Sequence, residues 1–332
     1  MRLRGVGRIA VALCAAAIGI SGLVACGNGS GATDSGASVA DPAGFPRTVD
    51  TVMGPVKIGK APKRVVVLDT AELDSATLLG VKPVGAVIAH TRTQGGFPDY
   101  LAGKVDGITD VGPLLEPNLE RIASLRPDLI LSSKVRHEKV YAQLSGIAPT
   151  VFTETTGSTW KENLVVHAKA LGLEQQAADA MKRYADQARA LGAAIKSGHG
   201  GTLPTVSVVR FLAGPTRIYL SNSFSGTVLG DIGLPRPASQ VSTDPKTIMR
   251  QVSPEQIDQA DADFIFVATT DDPGKTQKGT YTTSPIWRDL PAVKGNRVIE
   301  VPDETWMSGI GVQAAGRMLD DVAKATGTPF TR

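Results

Sequence analysis

Apolar residues in this chain fall in short continuous runs, separated by short stretches with an apolar side. Asn118 to Ser133 shows the unit. Leu119, Ile122, Ala123 and Leu125 give a short helix one apolar side. Asn118 can cap it, because its side-chain oxygen accepts from a free N–H of the first turn. Pro127 biases Arg126 away from the helical region and ends it. Leu129 to Leu131 then reads as a strand buried on both faces. The unit returns from Ser253 to Ala268, with Ser253 as the cap and Pro254 at the first helical position. Glu120 and Glu255 stand 135 residues apart, as do Ile122 and Ile257, Asp128 and Asp263, and Ile130 and Ile265. One constant offset for cap, charge, apolar face and strand predicts two lobes built alike.

The remaining pattern fits an α/β layer fold. Thr48 to Ile58 alternates around Gly54-Pro55 and predicts an edge hairpin. Strands are expected at Val65–Leu68, Pro83–Ile88, Pro149–Phe152, Thr205–Val209, Phe264–Ala268 and Arg297–Val301. Helices are expected at Ala71–Leu79, Val135–Leu144, Thr227–Asp231, Ile286–Leu290 and Gly311–Thr326. Gly107 to Leu115 reads as a turn-rich passage. Strands alternating with short helices imply parallel pairing. Thr159 and Glu162 have capping-box spacing. After a break near Gly172, apolar residues recur at Ala177, Met181, Tyr184, Ala188, Leu191 and Ile195, one face of a single long helix. A helix of about twenty residues is about 30 Å long, enough to run the height of two lobes.

The first residues belong to a different category. Arg2, Arg4 and Arg8 precede an apolar run from Ile9 to Ala25, which has the form of an export signal. Leu23-Val24-Ala25-Cys26 resembles the bacterial lipobox, in which Cys26 is lipidated; an ordinary secretory signal is the other reading. Cys14 leaves with the signal, so no thiol remains for a disulfide or a metal. The charge changes too. The chain has 35 basic and 32 acidic residues, and removing three Arg leaves 35 − 3 = 32 against 32. A basic-protein case for nucleic acid therefore fails. Gly27 to Ala43, rich in Gly, Ser and Ala, reads as a tether. The division expected is signal 1–25, tether 26–47, first α/β lobe 48–157, connecting backbone helix 158–198 and second α/β lobe 199–332.

On these pieces the chain resembles the substrate-binding proteins of iron-siderophore, haem and cobalamin ABC importers. The matching motifs are Pro62-Lys63-Arg64-Val65-Val66, the Asn118 and Ser253 units, the long helix and Arg297-Val298, over roughly residues 48–326. The resemblance implies two Rossmann-like lobes joined by one long helix, with a ligand cleft between them. It also implies a monomer anchored to the cell membrane on its extracytoplasmic side, without catalysis or cofactor. One glutamate per lobe would dock on arginines of the permease, and the matching positions are Glu120 and Glu255. Each lies in a first helical turn, where the macrodipole favours the ionised form by about 0.3–1 kcal/mol.

Ligands in such lobes bind past strand C-termini. The polar and aromatic residues there include Thr70, Glu72, His90, Arg92, Lys134, Arg136 and His137 in the first half. The second half offers Arg210, Arg217, Tyr219, Phe224, Trp306 and Met307. The expected ligand residues are Arg210, Arg217, Tyr219, Trp306, Phe224, His90, Arg92 and Arg136. Arg supplies planar, multi-donor contacts to anionic chelate oxygens, and aromatic faces cover apolar parts. An Arg ending a buried strand, as Arg210 does, is costly without a partner. The four histidines have no pair at metal-ligand spacing, so a bare metal ion is not expected; His167, within a helix, reads as structural. A single axial histidine, His90 or His137, leaves haem or a corrinoid as the alternative to a ferric siderophore. No Gly-x-Ser-x-Gly elbow, His-Glu-x-x-His or phosphate loop points to an enzyme.

Overall fold

The computed structural model describes residues 44–89, 95–244, 246–270 and 272–332. The expected signal and tether through residue 43, with Cys26, and the expected site residues His90 and Arg92 lie outside the described residues. An antiparallel hairpin, β1 (Arg47–Thr51) with β2 (Gly54–Ile58), comes first. β3 (Val65–Val67), β4 (Gly85–Ile88), β5 (Thr109–Pro113), β6 (Leu129–Ser133) and β7 (Thr150–Thr153) form a parallel sheet in the order β5-β4-β3-β6-β7. β8 (Val206–Phe211), β9 (Arg217–Tyr219), β10 (Met249–Gln251), β11 (Phe264–Thr269) and β12 (Val298–Pro302) form a second sheet in the order β10-β9-β8-β11-β12. The two central strands, β3 and β8, correspond, and β6 and β11 carry the repeated units.

The inner strands β3 and β6 of the first sheet and β8 and β11 of the second are buried on both faces, and they divide their side chains between two cores. Val65, Val67, Leu129, Leu131, Val206, Val208, Phe264 and Phe266 share one continuous cluster with Leu191 and Met318. The alternate residues Val66 and Ile130 turn to a cluster behind the first sheet, and Val209, Ile265 and Val267 to one behind the second. The period of two is that of a strand. The shared cluster is centred on the helices between the sheets. Helix Trp160–Leu171 ends at Gly172, whose φ of 74° supplies the left-handed stop, and helix Glu174–Gly198 follows. The long helix buries Ala177, Tyr184, Ala188, Leu191 and Ile195, five of its six expected apolar positions, and Met181 is partly buried. Gly192 lets it lie on helix Phe224–Ile232: a Cβ there would sit 1.9 Å from the Ile232 carbonyl oxygen.

Several elements differ from expectation, for local reasons. The passage from Gly107 contains β5, an edge strand with one deeply buried side chain, Val111, and a register shift against β4. The helix expected from Val135 to Leu144 is broken into Lys134–His137, a 3-10 turn Glu138–Val140 and Tyr141–Ile147, because His137 leaves the helical region at φ −129°. The Ser253 unit opens a 3-10 helix, Pro254–Ala260, rather than an α-helix. The capping box at Thr159 does not form, since that hydroxyl donates to the Thr155 carbonyl instead (3.1 Å). Pairing in the second sheet is only partly parallel: β9 runs antiparallel to both β8 and β10.

Candidate functional site

The C-terminal ends of both sheets point into one space between them. On the first side, Asp69 follows β3 and caps helix Thr70–Leu78 by accepting from the Thr70 N–H (2.7 Å). Its second carboxylate oxygen accepts from Arg136 Nε (2.8 Å), on the one-turn helix after β6. Asp69 is buried, whereas the Arg136 side chain keeps 25% of its surface. The terminal nitrogens of Arg136 have no protein partner among the described residues. This arginine is held by its stem nitrogen with its outer fork open.

On the second side the arrangement differs. Arg210 lies in β8, with Nε 2.6 Å from Asp303 Oδ1 and NH2 2.8 Å from Oδ2. NH1 donates to the Tyr219 hydroxyl (3.2 Å). Burial alone would lower the Arg210 pKa, but the Asp303 charge and then Tyr219 outweigh it and hold the guanidinium charged. Arg217 stands directly across from Arg210 in the β8–β9 ladder. Cross-strand partners share a face, and so do residues two apart on one strand. Arg210, Arg217 and Tyr219 therefore occupy one face of the second sheet. Arg217 has a buried Nε without a hydrogen-bond partner.

Two cavities that share Arg136 in their linings lie in the space. The inner one, about 70 Å³, is lined by Asp69, Thr70 and Arg136 from the first side and Arg210, Met307 and Ser308 from the second. The outer one, about 750 Å³, is lined by Leu115, Lys134, Arg136 and Glu154 against Lys246 and Ile248. Arg136 lines both. The outer volume lies in the usual range for small-molecule sites, about 300–1,000 Å³. Leu115 and Val135, both more than half exposed, give its mouth an apolar margin.

The expected residues divide accordingly. The structure brings Arg136 and Arg210 together on the inner cavity, with Tyr219 behind Arg210. Trp306 and Phe224 do not reach it. Trp306 is fully buried, stacked on Phe266 at 4.5 Å, and donates to Asp321 (2.8 Å). Phe224 packs edge-on to Trp160 at 5.7 Å. Met307, the residue after Trp306, lines the cavity instead. Asp69 and Asp303 were not among the expected residues, although a buried arginine calls for a nearby carboxylate.

His137 is committed. Its Nε2 donates to the Leu114 carbonyl (2.7 Å), and its Nδ1 accepts from the Ser132 hydroxyl (2.7 Å), an assignment fixed because a carbonyl can only accept. Burial lowers its pKa, so the ring is neutral with both nitrogens engaged. That corrects its reading as an open axial ligand. Glu72 is wholly buried, 3.7 Å from His167 Nε2, and is not a cleft residue. Burial and then the Asp69 charge push its carboxyl up to about 8. His167 accepts or donates at Nδ1 to the Ser75 hydroxyl (2.9 Å), the structural role expected of it. Among the described residues no three His, Cys, Asp or Glu side chains gather as a metal site, and no helix is long and apolar enough to cross a membrane.

Glu120 and Glu255 are both exposed, in the first turns of Leu119–Ser124 and Pro254–Ala260. Asn118 caps the first by accepting from Arg121 N–H (2.8 Å). A hydrogen bond from the Ser253 side chain lowers the Glu255 pKa and keeps it ionised.

A family model described as periplasmic binding protein matches residues 65–305. The probable siderophore-binding lipoprotein YfiY of Bacillus subtilis is 40% identical over 291 residues, 83% of this chain and 86% of that protein. The Fe(3+)-citrate-binding protein YfmC of the same organism is 30% identical over 300 residues, 90% of this chain and 89% of that one. Among solved structures, Staphylococcus aureus SirA complexed with staphyloferrin B is 36% identical, with a TM-score of 0.77, covering 85% of this chain and 99% of that one.

Proposed function

The chain belongs to the periplasmic binding protein family, and on that footing we propose that it captures a ferric siderophore outside the cytoplasm and delivers it to an ABC importer permease. One observation carries the reading. Two arginines from opposite sides, each backed by a buried aspartate, converge on one cleft, Arg136 with its fork open and Arg210 at the sheet end. Lys134, Lys139 and Lys246 extend the positive lining outward, against Glu138 and Glu154. Such a lining suits an oxygen-rich anionic chelate, since Arg gives bidentate contacts to carboxylates. The named ligands of the relatives, ferric citrate and staphyloferrin B, support the same class. Arg217, His90 and Arg92 belong to the proposed ligand set as well.

The remaining assignments follow from this role. Residues 1–25 act as the export signal, Cys26 bears the lipid anchor and 26–47 form the tether. The lobes span 48–157 and 199–332, joined by 158–198. Glu120 and Glu255 dock on permease arginines. The protein acts as a monomer without catalysis. For haem or a corrinoid, His137 offers no free nitrogen, which leaves His90 as the axial candidate.

The test is a titration of intrinsic fluorescence with ferric citrate, a ferric catecholate, a ferric hydroxamate, haem and cobalamin. Saturable quenching by at least one ferric chelate, and none by haem or cobalamin, is expected. Saturable haem binding with no response to any ferric chelate would overturn the reading. Changing Cys26 to Ser should release the protein to the medium.

A further inference from the structure

The cleft already contains a carboxylate in the place where a ligand carboxylate would be looked for. A guanidinium offers two flat edges that can hold a carboxylate by two parallel bonds, Nε with one terminal nitrogen and the two terminal nitrogens together. In Arg210 the first edge is taken by Asp303, at 2.6 and 2.8 Å, and NH1 on the second edge is engaged by the Tyr219 hydroxyl. In Arg136 only Nε is used, and the outer edge has no partner among the described residues. The two arginines line the same inner cavity in opposite states of readiness.

Asp303 is well placed to keep that role. Its side chain is only 3% exposed, so water does not screen it from Arg210. It follows β12, which pairs in parallel with β11, and β11 pairs in parallel with β8. The ends of three strands thus fix the pair. Its carboxylate has no other hydrogen-bond donor among the described residues than Arg210. Arg217, across the ladder from Arg210, has no carboxylate partner among those residues. Asp303 therefore answers Arg210 alone of these two adjacent cations.

We propose that Asp303 determines the ligand charge this cleft accepts, acting as a resident carboxylate that occupies the bidentate edge of Arg210 and so removes one ligand-carboxylate position. This rests on the ferric-chelate reading above and adds to it a specificity-determining residue. An incoming chelate is held through the open fork of Arg136 and the outer cations, and meets at Arg210 a guanidinium already neutralised. The cleft is thereby tuned to a chelate with fewer free carboxylates than its arginines alone would hold.

The test compares Asp303→Asn with the wild type by calorimetric titration of two probes, ferric citrate and the ferric complex of a linear trihydroxamate that carries no free carboxylate. Removing the resident charge uncovers Arg210. The ratio of affinities should then shift towards ferric citrate by about tenfold or more, the scale of a buried charge pair. The ligand-free protein should melt lower, and ferric citrate should raise its melting temperature by more than it does for the wild type. Asp303→Ser, which removes the charge and leaves room for water, is the second variant should the first not fold. A ratio that stays level, or moves against ferric citrate, overturns the proposal and makes Asp303 only a support for Arg210. A wild type that binds neither these probes nor any other ferric chelate defeats the parent reading instead.

Discussion

Asp128 and Asp263, 135 residues apart, hold their lobes together in the same way. The Asp128 carboxylate accepts from the backbone N–H groups of Lys63 and Arg64 (2.8–3.0 Å), just before β3. The Asp263 carboxylate accepts from the backbone N–H and hydroxyl of Thr205 (both 2.8 Å), just before β8. Each ties the start of a central strand to the start of its neighbour, so the offset seen along the chain is a repeated joint. These bonds are at the surface, so water takes over the freed N–H groups and losing one such acceptor costs about 0.5–1.5 kcal/mol. Asp128→Ala and Asp263→Ala should each lower the unfolding free energy measured in urea by that amount. The two losses should add, because separate sites with no shared partner do so. A double variant no less stable than either single one would count against two independent joints.

The open fork of Arg136 makes it the residue on which ligand affinity turns. Arg136→Lys keeps a cation beside Asp69 but cannot offer two parallel donors. Affinity for an anionic ferric chelate should fall by about tenfold or more, the worth of a charge-assisted bidentate contact. The melting temperature should change little. An unaltered affinity in calorimetry would remove Arg136 from the ligand set.

Burial of Glu72 gives stability a pH dependence with a definite sign. Its carboxyl is pushed from 4.5 to about 8, so its contribution is complete below pH 4.5 and is lost as pH rises through 8. Burial pushes His167 the other way, from 6.5 to about 3, so its contribution is complete above pH 6.5 and is lost as pH falls towards 3. The two slopes oppose each other between pH 4.5 and 6.5. From 6.5 to 8 only the Glu72 slope remains, and stability should drop by up to about 2 kcal/mol. Urea unfolding at both ends of that window measures it, and Glu72→Gln should flatten the curve there. The same slope in the Gln variant would assign it to another group.

What could be read in the chain depended on how each element is buried. Val65–Leu68, Leu129–Leu131 and Phe264–Ala268 are buried on every residue, so their apolar runs are plain in the sequence. β5 and β9 have one or two deeply buried side chains each, and their identity lies in a neighbouring strand. The site follows the same rule. Arg210 is legible because an arginine at the end of a buried strand demands a counter-charge. Its partner is 93 residues away, and only the parallel register of β8, β11 and β12 brings Asp303 beside it. Trp306 ends a one-turn helix and Met307 follows it, too short a stretch for a pattern to tell which side faces the cleft.

Delivery should separate from binding at the two exposed glutamates. Glu120→Lys and Glu255→Lys reverse charges that lie outside the cleft lining. Uptake of labelled ferric chelate by cells carrying either variant should be lost, while the purified proteins keep their affinity. A collapse of affinity would place the glutamates in the ligand site and end the docking assignment.

Asp74 links the two halves behind the cleft. It lies in helix Thr70–Leu78, and its carboxylate accepts from the N–H groups of Gln313 and Ala314 (both 3.1 Å), at the start of helix Val312–Ala325. That helix has no side-chain cap of its own, because Gly311 precedes it. The Gln313 amide returns the contact, donating to the Asp74 carbonyl (2.8 Å) and to Thr77 (2.9 Å). Burial pushes the Asp74 pKa up to about 6, and the two N–H groups work against that rise. The closing helix thus borrows its cap from helix Thr70–Leu78, and Gly311 makes this possible: a Cβ there would lie 2.3 Å from the carboxylate. Asp74→Ala should cost about 2–4 kcal/mol, for two buried donors left unpaired. Gly311→Ala should act at the same place by collision. In both, amide hydrogen exchange at Gln313 and Ala314 should speed up well beyond that of the helix interior. Unchanged protection at those two amides in Asp74→Ala would mean that the cap from Asp74 does not hold the helix start.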